Sequence, residues 1–415
     1  MPSAIPLEVQ DPPAPAPGER PWLFAFLIAP DAVISLGLVS GALTFLLRNE
    51  GVNPERAADI SALLVIPHAI YFLWGPLTDF WIRRRTWLVA ASATSAATLL
   101  VAFHRPNLSS PLSVSLLFLT ASLGVLAVAA CGGMMGGLRS EVNRRRAGSF
   151  YQSGSLTIGA VAIFVVVAFS GRLPLGSVGW IVAAMIVLPS LAAFAAPAQP
   201  AVSDRTVRES FIHIGHEFRS TFLRWEAIPY TLLLASPCAS GAMIGLLGEL
   251  ARDYGVTAKE VAWINGLGGA LLTSAGALAA SLIPVRARAP IAFLAAGMVN
   301  AATLGILAVG PMRPAVYIAG SVLYLSTVGA GYALFTAVLL EFLGDAGKSG
   351  SSRYAIINSL GNVPVIYMTA LDGWGYARWG ARGMPAADAL ITTCTCLLFM
   401  AHYVVNLRHG KSSVQ

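Results

Sequence analysis

Long apolar stretches constrain this chain more than any other feature of its sequence. They follow one another from residue 22 to residue 407, with short polar connections between them. A membrane-spanning helix needs about 20 consecutive, mostly apolar residues. Hydrophobic residues make up 56% of the chain and charged residues only 11%, whereas a soluble domain carries about 25% charged residues. The sequence therefore predicts an integral membrane protein.

The apolar stretches divide into spans that we expect to be helical. Each is too long and too continuously apolar for the alternating strands of a membrane barrel, so helices must satisfy the backbone in lipid. The spans cover residues 22–47, 57–81, 86–103, 112–138, 148–170, 176–196, 226–251, 259–283, 290–310, 314–342, 352–372 and 386–407. The predicted fold class is an all-α integral membrane protein with twelve transmembrane helices.

The longest internal connection, residues 197–225, separates six spans from six. We therefore predict one six-helix bundle over residues 22–196 and a second over residues 226–407. Apolar residues recur every three or four positions within the connection, which predicts an amphipathic helix along the inner membrane surface. A solvated linker is the alternative. Residues 1–21 are proline-rich, which predicts a disordered tail, and residues 408–415 form a second tail.

The lysines and arginines predict the orientation of the chain. With a cytoplasmic N-terminus, 18 of the 27 Lys and Arg residues lie on the inner side and the other 9 on the outer side. Positive residues accumulate on the cytoplasmic side of membrane proteins. We therefore expect both tails in the cytoplasm.

One apolar stretch carries an unusual set of charges. The sequence FLWGPLTDFWIRRRTW, residues 72–87, contains Asp79 and then three consecutive arginines. Gly75, Leu77, Asp79 and the pair Arg83–Arg84 resemble the signature loop between the second and third spans of the major facilitator superfamily, Gly-x-Leu-x-Asp followed by basic residues. The resemblance implies two pseudo-symmetric six-helix bundles, alternating access and a functional monomer in the lipid bilayer.

Weak internal similarity accompanies this motif. The fourth span ends in GGMMGGLRSE and is followed by RRRAGSFYQSG, while the tenth ends in LFTAVLLE and is followed by SSRYAIINSLG. Each half thus has an acid at the inner end of a span and an arginine beyond it. Such duplication is typical of carriers that bind solute between two halves.

The charged residues at the inner ends of the spans predict a cytoplasmic gate. Asp79 can accept hydrogen bonds from backbone N–H groups at the start of the eleventh span, where the helix dipole is positive, and Arg83 or Arg84 could then reach Glu141. Glu341 and Arg353 would form the counterpart in the second half. The alternative is that these charges only mark the membrane boundary. The residues assigned to the gate are Gly75, Asp79, Arg83, Arg84, Arg139, Glu141, Glu341 and Arg353.

A narrower resemblance rests on FLWGPLTD and on GSSRYAIINSLGNVP, residues 350–364. These segments are similar to the muropeptide permease (AmpG-type) and acetyl-CoA transporter branch of the superfamily. That branch implies a proton-coupled symporter in a bacterial inner membrane, with muropeptides or anhydro sugars as first candidate solutes. The branch often has charged residues where Tyr71 and Thr157 stand here, so a less charged solute is the alternative.

Polar residues at membrane depth are candidates for the solute site, because each costs free energy in lipid unless it faces a cavity or a partner. Helix packing is the alternative for any single residue. As a set they predict a polar, mostly uncharged cavity. The residues assigned to the solute are His68, Tyr71, Gln152, Asn265, Tyr332, Asn358 and Asn362.

Asp31 is the acid that the sequence places deepest in a span. It lies nine residues beyond Trp22, which at 1.5 Å per residue is roughly 14 Å and close to the centre of a ~30 Å hydrocarbon core. Desolvation favours the protonated carboxyl, so Asp31 is the predicted proton-coupling residue. The alternative is that His68, Tyr71 or Ser35 holds Asp31 as a packing residue.

Other functional classes find little support in the sequence. Apart from Asp31 with His68, no acid and histidine converge at one depth, so we expect no enzyme. The four cysteines lie in apolar segments without metal-binding spacing, and we expect no metal or other cofactor. The net charge of +7 is spread between spans, which does not favour a nucleic-acid partner. A drug or metabolite efflux carrier and a nontransporting sensor remain alternatives.

Overall fold

The computed structural model describes residues 19–196 except 53, residues 227–284 except 239, residues 287–343 and residues 350–412, together with positions 209, 212, 215, 216 and 219. This described part is helical and contains no β-strand. Eight of its helical stretches are long and apolar enough to cross a membrane, and two shorter apolar helices accompany them. The predicted all-α membrane fold is confirmed.

Helical segments occupy each of the predicted spans, and we number them in chain order, with a and b for the two parts of an interrupted helix. They are α1 (Pro21–Leu47), α2 (Pro54–Ile70), α3 (Arg84–Phe103), α4 (Pro111–Gly136), α5 (Glu141–Ser170), α6 (Leu175–Ala195), α7a (Ile228–Leu234), α7b (Met243–Asp253), α8a (Ala258–Asn265), α8b (Leu267–Ala279), α9 (Ala289–Val309), α10 (Pro314–Leu343), α11a (Gly350–Ser359), α11b (Asn362–Trp379) and α12 (Gly383–Ser412).

Several spans predicted as continuous helices are interrupted. After Ile70, the second span continues as short 3₁₀ turns, Tyr71–Leu73 and Gly75–Asp79. The seventh span breaks between α7a and α7b, where Pro237 lacks an N–H and Gly241 takes a φ of +73°. Interrupted helices expose backbone groups inside a membrane protein, and these need a cavity or a partner.

The first helix is also irregular. It changes from α to π geometry over Ala32–Ala42, directly after Pro30 and Asp31. Pro30 removes one helical N–H directly before Asp31, which favours a local irregularity in the helix. The π-helical turns begin directly after Asp31, which is buried.

The buried apolar residues divide the molecule into two sides. On the side that carries Asp79, the core of α7–α12 continues into the first half at residues such as Leu23 and Met134. On the opposite side, the first half has a separate core that includes Ile34, Leu99 and Val178. We call these the Asp79 side and the Glu50 side.

On the Glu50 side, Glu50 joins two connections of the first half. Its carboxylate accepts a hydrogen bond of 2.9 Å from the backbone N–H of Leu108. Partial burial raises the pKa of the Glu50 carboxyl above its ordinary value, and the hydrogen bond from Leu108 opposes this rise. The turn after α1 is thus fixed to the turn after α3.

The structure describes the last residues of the N-terminal tail but little of the connection 197–225. Residues 19–21, assigned from the sequence to a disordered tail, are in place. Glu19 accepts hydrogen bonds from the Arg139 N–H at 2.7 Å and the Asn143 amide at 2.8 Å, and α1 begins at Pro21. Most of the connection 197–225 lies outside the described residues, so its amphipathic helix stays a prediction.

Candidate functional site

Asp79 sits at the contact between the end of the second span and the start of α11a. Its carboxylate accepts hydrogen bonds from the N–H of Ser351 at 3.0 Å and the N–H of Ser352 at 2.7 Å. The Ser352 hydroxyl adds a third bond of 2.7 Å. The predicted bonds to the N-terminus of the eleventh span are therefore present, and the helix dipole favours the negative charge there.

Arg84 completes this Asp79 cluster from the first turn of α3. Its guanidinium nitrogens lie 2.8 and 2.9 Å from Asp79, and it also donates to the Gly133 carbonyl at 3.3 Å. Asp79 is 5% exposed and Arg84 6% exposed. Glu141, predicted to pair with Arg83 or Arg84, is exposed and lies 3.9 Å from Arg145. Arg83 is exposed and precedes α3.

Glycines let α4 and α11a approach closely beside this cluster. A Cβ atom on Gly132 would lie 2.1 Å from the ring of Tyr354, and one on Gly133 would lie 2.2 Å from the Ser351 hydroxyl. Gly75 fits between Ala129 of α4 and Ala355 of α11a. These glycines therefore serve close packing between the two halves.

A second contact joins the halves on the same side of the molecule. Arg145 of α5 is buried and donates to the carbonyl oxygens of Pro284 at 3.1 Å and Ala287 at 2.9 Å, in the connection between α8b and α9. In two halves of six spans each, α5 corresponds to α11, and the connection between α8b and α9 corresponds to the connection between α2 and α3. The Arg145 contact is therefore the pseudo-symmetric counterpart of the Asp79 cluster. Arg145 was not among the residues predicted for the gate, although the three consecutive arginines at the start of α5 were a signal for it.

Glu341, which was predicted to form the gate contact of the second half with Arg353, makes other contacts. Glu341 accepts hydrogen bonds from the Tyr230 hydroxyl at 3.0 Å and the Ala289 N–H at 3.3 Å. These bonds join α10 to α7a and α9 within the second half, while Arg353 is half-buried in the first turn of α11a. The described partners of Glu341 therefore differ from the predicted pairing. Arg139 is exposed in the turn before α5.

A wide cavity of about 540 Å³ opens beside these contacts. Its lining carries basic and acidic side chains from both halves, together with two tyrosines. The charged lining residues are Glu141, Arg144, Arg145, Arg288 and Glu341. Because opposite charges alternate there, the cavity does not favour one sign of ligand.

Hydrogen bonds between the halves continue to the middle of the molecule. The Gln152 amide donates to Thr336 at 2.9 Å, and the hydroxyls of Thr157 and Ser274 are 2.9 Å apart. These bonds join α5 to α10 and α8b. From the Asp79 side to mid-depth, the two halves are thus held together by polar contacts.

A smaller cavity of about 210 Å³ lies where α7 and α11 are interrupted. Among the described residues, its lining combines polar and aromatic groups with the apolar Leu234, Pro364 and Val365 and carries no charged side chain. The lining residues with polar or aromatic groups are Gln152, Ser236, Cys238, Ser240, Tyr332, Phe335, Asn358 and Asn362. We call this space the central cavity.

The central cavity brings together four of the residues predicted to contact solute: Gln152, Tyr332, Asn358 and Asn362. Tyr71 adjoins it, because the Asn358 amide donates to the Tyr71 hydroxyl at 2.9 Å. Asn265 ends α8a, and its side chain lies outside what the structure describes.

Sequence reasoning missed the serines of the α7 break, Ser236 and Ser240. Their signal was the Pro and Gly that interrupt an apolar run in TLLLASPCASG, a feature typical of transporter binding sites. The backbone at Gly241 also approaches the site closely, since a Cβ there would lie 1.8 Å from the Tyr332 hydroxyl.

Asp31 and His68 form a separate polar group in the first half. The Asp31 carboxylate lies 2.8 Å from His68 Nε2 and accepts a 2.7 Å hydrogen bond from the Ser35 hydroxyl. Ser35 also contacts His68. Two of the three side chains named as alternative partners of Asp31, His68 and Ser35, therefore contact it, whereas the Tyr71 hydroxyl accepts a hydrogen bond from Asn358. Neither Asp31 nor His68 lines the central cavity.

The fold matches solved structures of transporters. The human organic anion transporter MFSD10 (TETRAN) matches with a TM-score of 0.67 and 14% identity over 91% of this chain and 98% of that one. The proton:xylose symporter XylE, bound to 6-bromo-6-deoxy-D-glucose, matches with a TM-score of 0.65 and 15% identity over 92% of this chain and 94% of that one. FucP in the outward conformation matches with a TM-score of 0.63 and 15% identity over 92% of this chain and 98% of that one.

Sequence comparisons give no closer relative. No family model matches the chain, and no curated protein matches its sequence. At 14–15% identity the structural matches establish the fold. The chain is therefore a multi-pass membrane protein with the fold of the major facilitator superfamily transporters.

Proposed function

We propose that this protein is a secondary active transporter that moves a small polar solute by alternating access, in symport with protons. The observation that carries the proposal is the central cavity. Gln152 of the first half and residues of the second half line it, its described polar and aromatic groups include no charged side chain, and the Asp79 cluster and the Arg145 contact join the halves on one side of the molecule. Transporters of this architecture bind solute at such a position.

The chemistry of the central cavity favours a neutral, hydroxyl-rich solute. Amide, hydroxyl and aromatic groups can bind sugar hydroxyls and pack on a sugar ring, whereas a carboxylate would find no cation in the described lining. XylE and FucP, which share the fold, are sugar-related symporters by name: XylE a proton:xylose symporter and FucP a fucose:proton symporter. Monosaccharides and anhydro sugars are therefore the first solutes to test, and muropeptides the second.

The Asp79 side is assigned to the cytoplasm on the support of the 18 to 9 bias of Lys and Arg. The structure then corresponds to a state closed to the cytoplasm. Solute enters the central cavity from the Glu50 side, the halves rock, and the Asp79 cluster and Arg145 contact separate to release it. Both contacts must therefore break and reform in every cycle.

Asp31 is the proposed proton-coupling residue. Its carboxylate lies in the first membrane span, 2.8 Å from His68 Nε2, and accepts a 2.7 Å hydrogen bond from the Ser35 hydroxyl, so groups that can exchange a proton with it are in contact. The two partners, one of them titratable, support a coupling role.

Transport in proteoliposomes tests this function. The purified protein is given radiolabelled monosaccharides and anhydro sugars, with an anhydromuropeptide as a separate arm, and both counterflow and accumulation driven by a pH gradient are measured. We expect counterflow in the wild type and in Asp31→Asn, with gradient-driven accumulation only in the wild type. Asp59→Asn, an exposed acid of α2, serves as control and should accumulate solute normally.

Other outcomes would point to other functions. A solute that raises the melting temperature without any counterflow would indicate a sensor, while a gradient that drives solute out of right-side-out vesicles would indicate efflux. Accumulation at the wild-type rate in well-folded Asp31→Asn would remove Asp31 from the coupling step and leave the carrier intact.

A further inference from the structure

Two acids near the ends of the predicted spans 352–372 and 386–407 are buried in the second half. Asp372 of α11b is 0% exposed and Asp388 of α12 is 3% exposed. Their helices touch backbone to backbone one turn away, since a Cβ on Gly375 would lie 2.6 Å from the Gly383 carbonyl and 2.9 Å from Ala387. Asp372 and Asp388 therefore flank one seam, and their charges interact.

These carboxyls have few partners. Asp388 accepts a 3.0 Å hydrogen bond from Thr392, one turn along its own helix. Both oxygens of Asp372 are buried without a hydrogen-bond partner in the described part of the chain. Tyr324 of α10 is 1% exposed and interacts electrostatically with both acids. Its side-chain hydroxyl has no hydrogen-bond partner among the described residues.

Among the described residues, no positive charge compensates these acids. Tyr367, on α11b itself, interacts with Asp388, and α9, which packs on α12, has no ionisable side chain in its sequence. Toward the Glu50 side, the Tyr376 hydroxyl donates to Asp253, and Arg382 donates to the Gly310 carbonyl at 3.1 Å. Arg378 lies on an exposed turn of α11b. In the described part of the chain, no cation is among the groups that act electrostatically on Asp372 or Asp388.

Two ionised carboxylates in this setting would be very unfavourable, because both are desolvated and they repel each other. We propose that Asp372 and Asp388 form a second proton-binding site, in which the pair holds one proton at neutral pH. A proton needs no further ligands, whereas a metal ion would need several, and no group of three or more metal-binding side chains occurs among the described residues. This inference depends neither on the solute nor on the role of Asp31.

The location of the pair gives it access to the transport machinery. Asp372 lies on the same span as the N-H groups that bind Asp79 and the asparagines that line the central cavity. The break at residues 360–361 joins these two parts of the span. Loss of the shared proton changes the packing of α11b on α12, and hence the position of the element that shapes both the cavity and the Asp79 cluster.

Infrared spectroscopy tests the site directly. The carbonyl stretching band of protonated carboxyls is recorded at pH 7 in detergent for the wild type, Asp372→Asn and Asp388→Asn. We expect each variant to lose the intensity of one protonated carboxyl. Asp253→Asn is the matched control, because Asp253 is exposed nearby at the end of α7b, and its spectrum should match the wild type. An unchanged band in both pair variants would overturn the proposal.

Thermal stability gives a second measurement that needs no variant. A proton bound in the folded state and released on unfolding makes stability fall as pH rises, tenfold in the folding equilibrium constant per pH unit. We expect this dependence between pH 6 and 8 in the wild type and its loss in Asp372→Asn or Asp388→Asn, whichever folds. The same slope in both variants, or a wild type that sodium stabilises at constant ionic strength, would contradict proton binding.

Discussion

Asp79 and Arg84 show how one buried ion pair can control a conformational state. Their side chains are 2.8 Å apart and almost fully buried, so each makes the burial of the other tolerable. Removing one partner of such a pair leaves an uncompensated charge, at a cost of about 3–5 kcal/mol. Because Asp79 also binds the start of α11a, this cost falls on the state in which the halves are joined on the Asp79 side.

We predict that Asp79→Asn impairs transport more than it impairs folding or solute binding. Asn keeps the size of the side chain, but it removes the carboxylate that pairs with Arg84 and the negative charge at the helix N-terminus. Cys238, which lines the central cavity, reports the change. In a background lacking the other three cysteines, an impermeant thiol reagent should reach it faster from the Asp79 side. Asp59→Asn, which alters an exposed acid of α2 outside the gate, is the control, and wild-type transport in Asp79→Asn would contradict the gate.

Asn358 links the central cavity to the first half through its hydrogen bond to Tyr71. We predict that Asn358→Ala weakens solute binding by about tenfold, since a neutral hydrogen bond contributes about 0.5–1.5 kcal/mol. Ligand-induced shifts in melting temperature measure the affinity. Asn107→Ala, in an exposed turn on the Glu50 side, should bind like the wild type. An unaltered affinity in Asn358→Ala would place the solute elsewhere.

At the scale of elements, the close contact between α4 and α11a depends on glycines, which have no side chain. The ring of Tyr354 occupies the space that a Cβ on Gly132 would need. By contrast, a Cβ on Gly305 of α9 would meet nothing within 4 Å. Comparing alanine substitutions at Gly132 and Gly305 therefore distinguishes the effect of lost space between two helices from the effect of a higher helix propensity.

We predict that Gly132→Ala destabilises the state closed on the Asp79 side by about 1–3 kcal/mol, because overpacking forces the helices apart. Gly305→Ala should be neutral or slightly stabilising, since Ala favours a helix by about 1 kcal/mol over Gly. Labelling of Cys238 and melting temperatures of both variants provide the comparison. Equal behaviour of the two variants would show that the α4–α11a contact is unimportant for closure.

The Arg145 contact should act on the same equilibrium from the opposite edge of the interface. We predict that Arg145→Gln speeds labelling of Cys238 from the Asp79 side, with a cost to the closed state of about 1.5–3 kcal/mol for the lost charged hydrogen bonds. Arg146→Gln, at the exposed neighbouring position, is the control. Combined with Asp79→Asn, the effects should add, because the sites share no partner. A silent Arg145→Gln would restrict the gate to the Asp79 cluster.

At the scale of the whole molecule, the positions of the charges predict which side faces the cytoplasm. We predict that Arg408→Cys, in a chain without its native cysteines, is protected from an impermeant reagent in intact cells and reacts after permeabilisation. A cysteine replacing Arg313, in the turn before α10, should react from outside. The reverse pattern would invert the orientation and, with it, the direction assigned to the gate.

The sequence by itself determined the membrane class, the helical fold and the positions of the spans. The reason is that lipid leaves the backbone only internal hydrogen bonds, so about 20 apolar residues specify a spanning helix without reference to any neighbour. It also predicted the contact of Asp79 with α11a, because a carboxylate and a helix N-terminus attract each other wherever the fold brings them together.

Only the tertiary structure decided which polar residues meet. It placed Gln152, Tyr332, Asn358 and Asn362 around one cavity, held Asp31 between His68 and Ser35, and made Arg145 rather than Glu341 the second contact between the halves. It also buried Asp372 and Asp388, which the sequence had left at span ends. Partner choice depends on helix rotation and depth, which are set by packing between helices far apart in sequence and leave no local pattern.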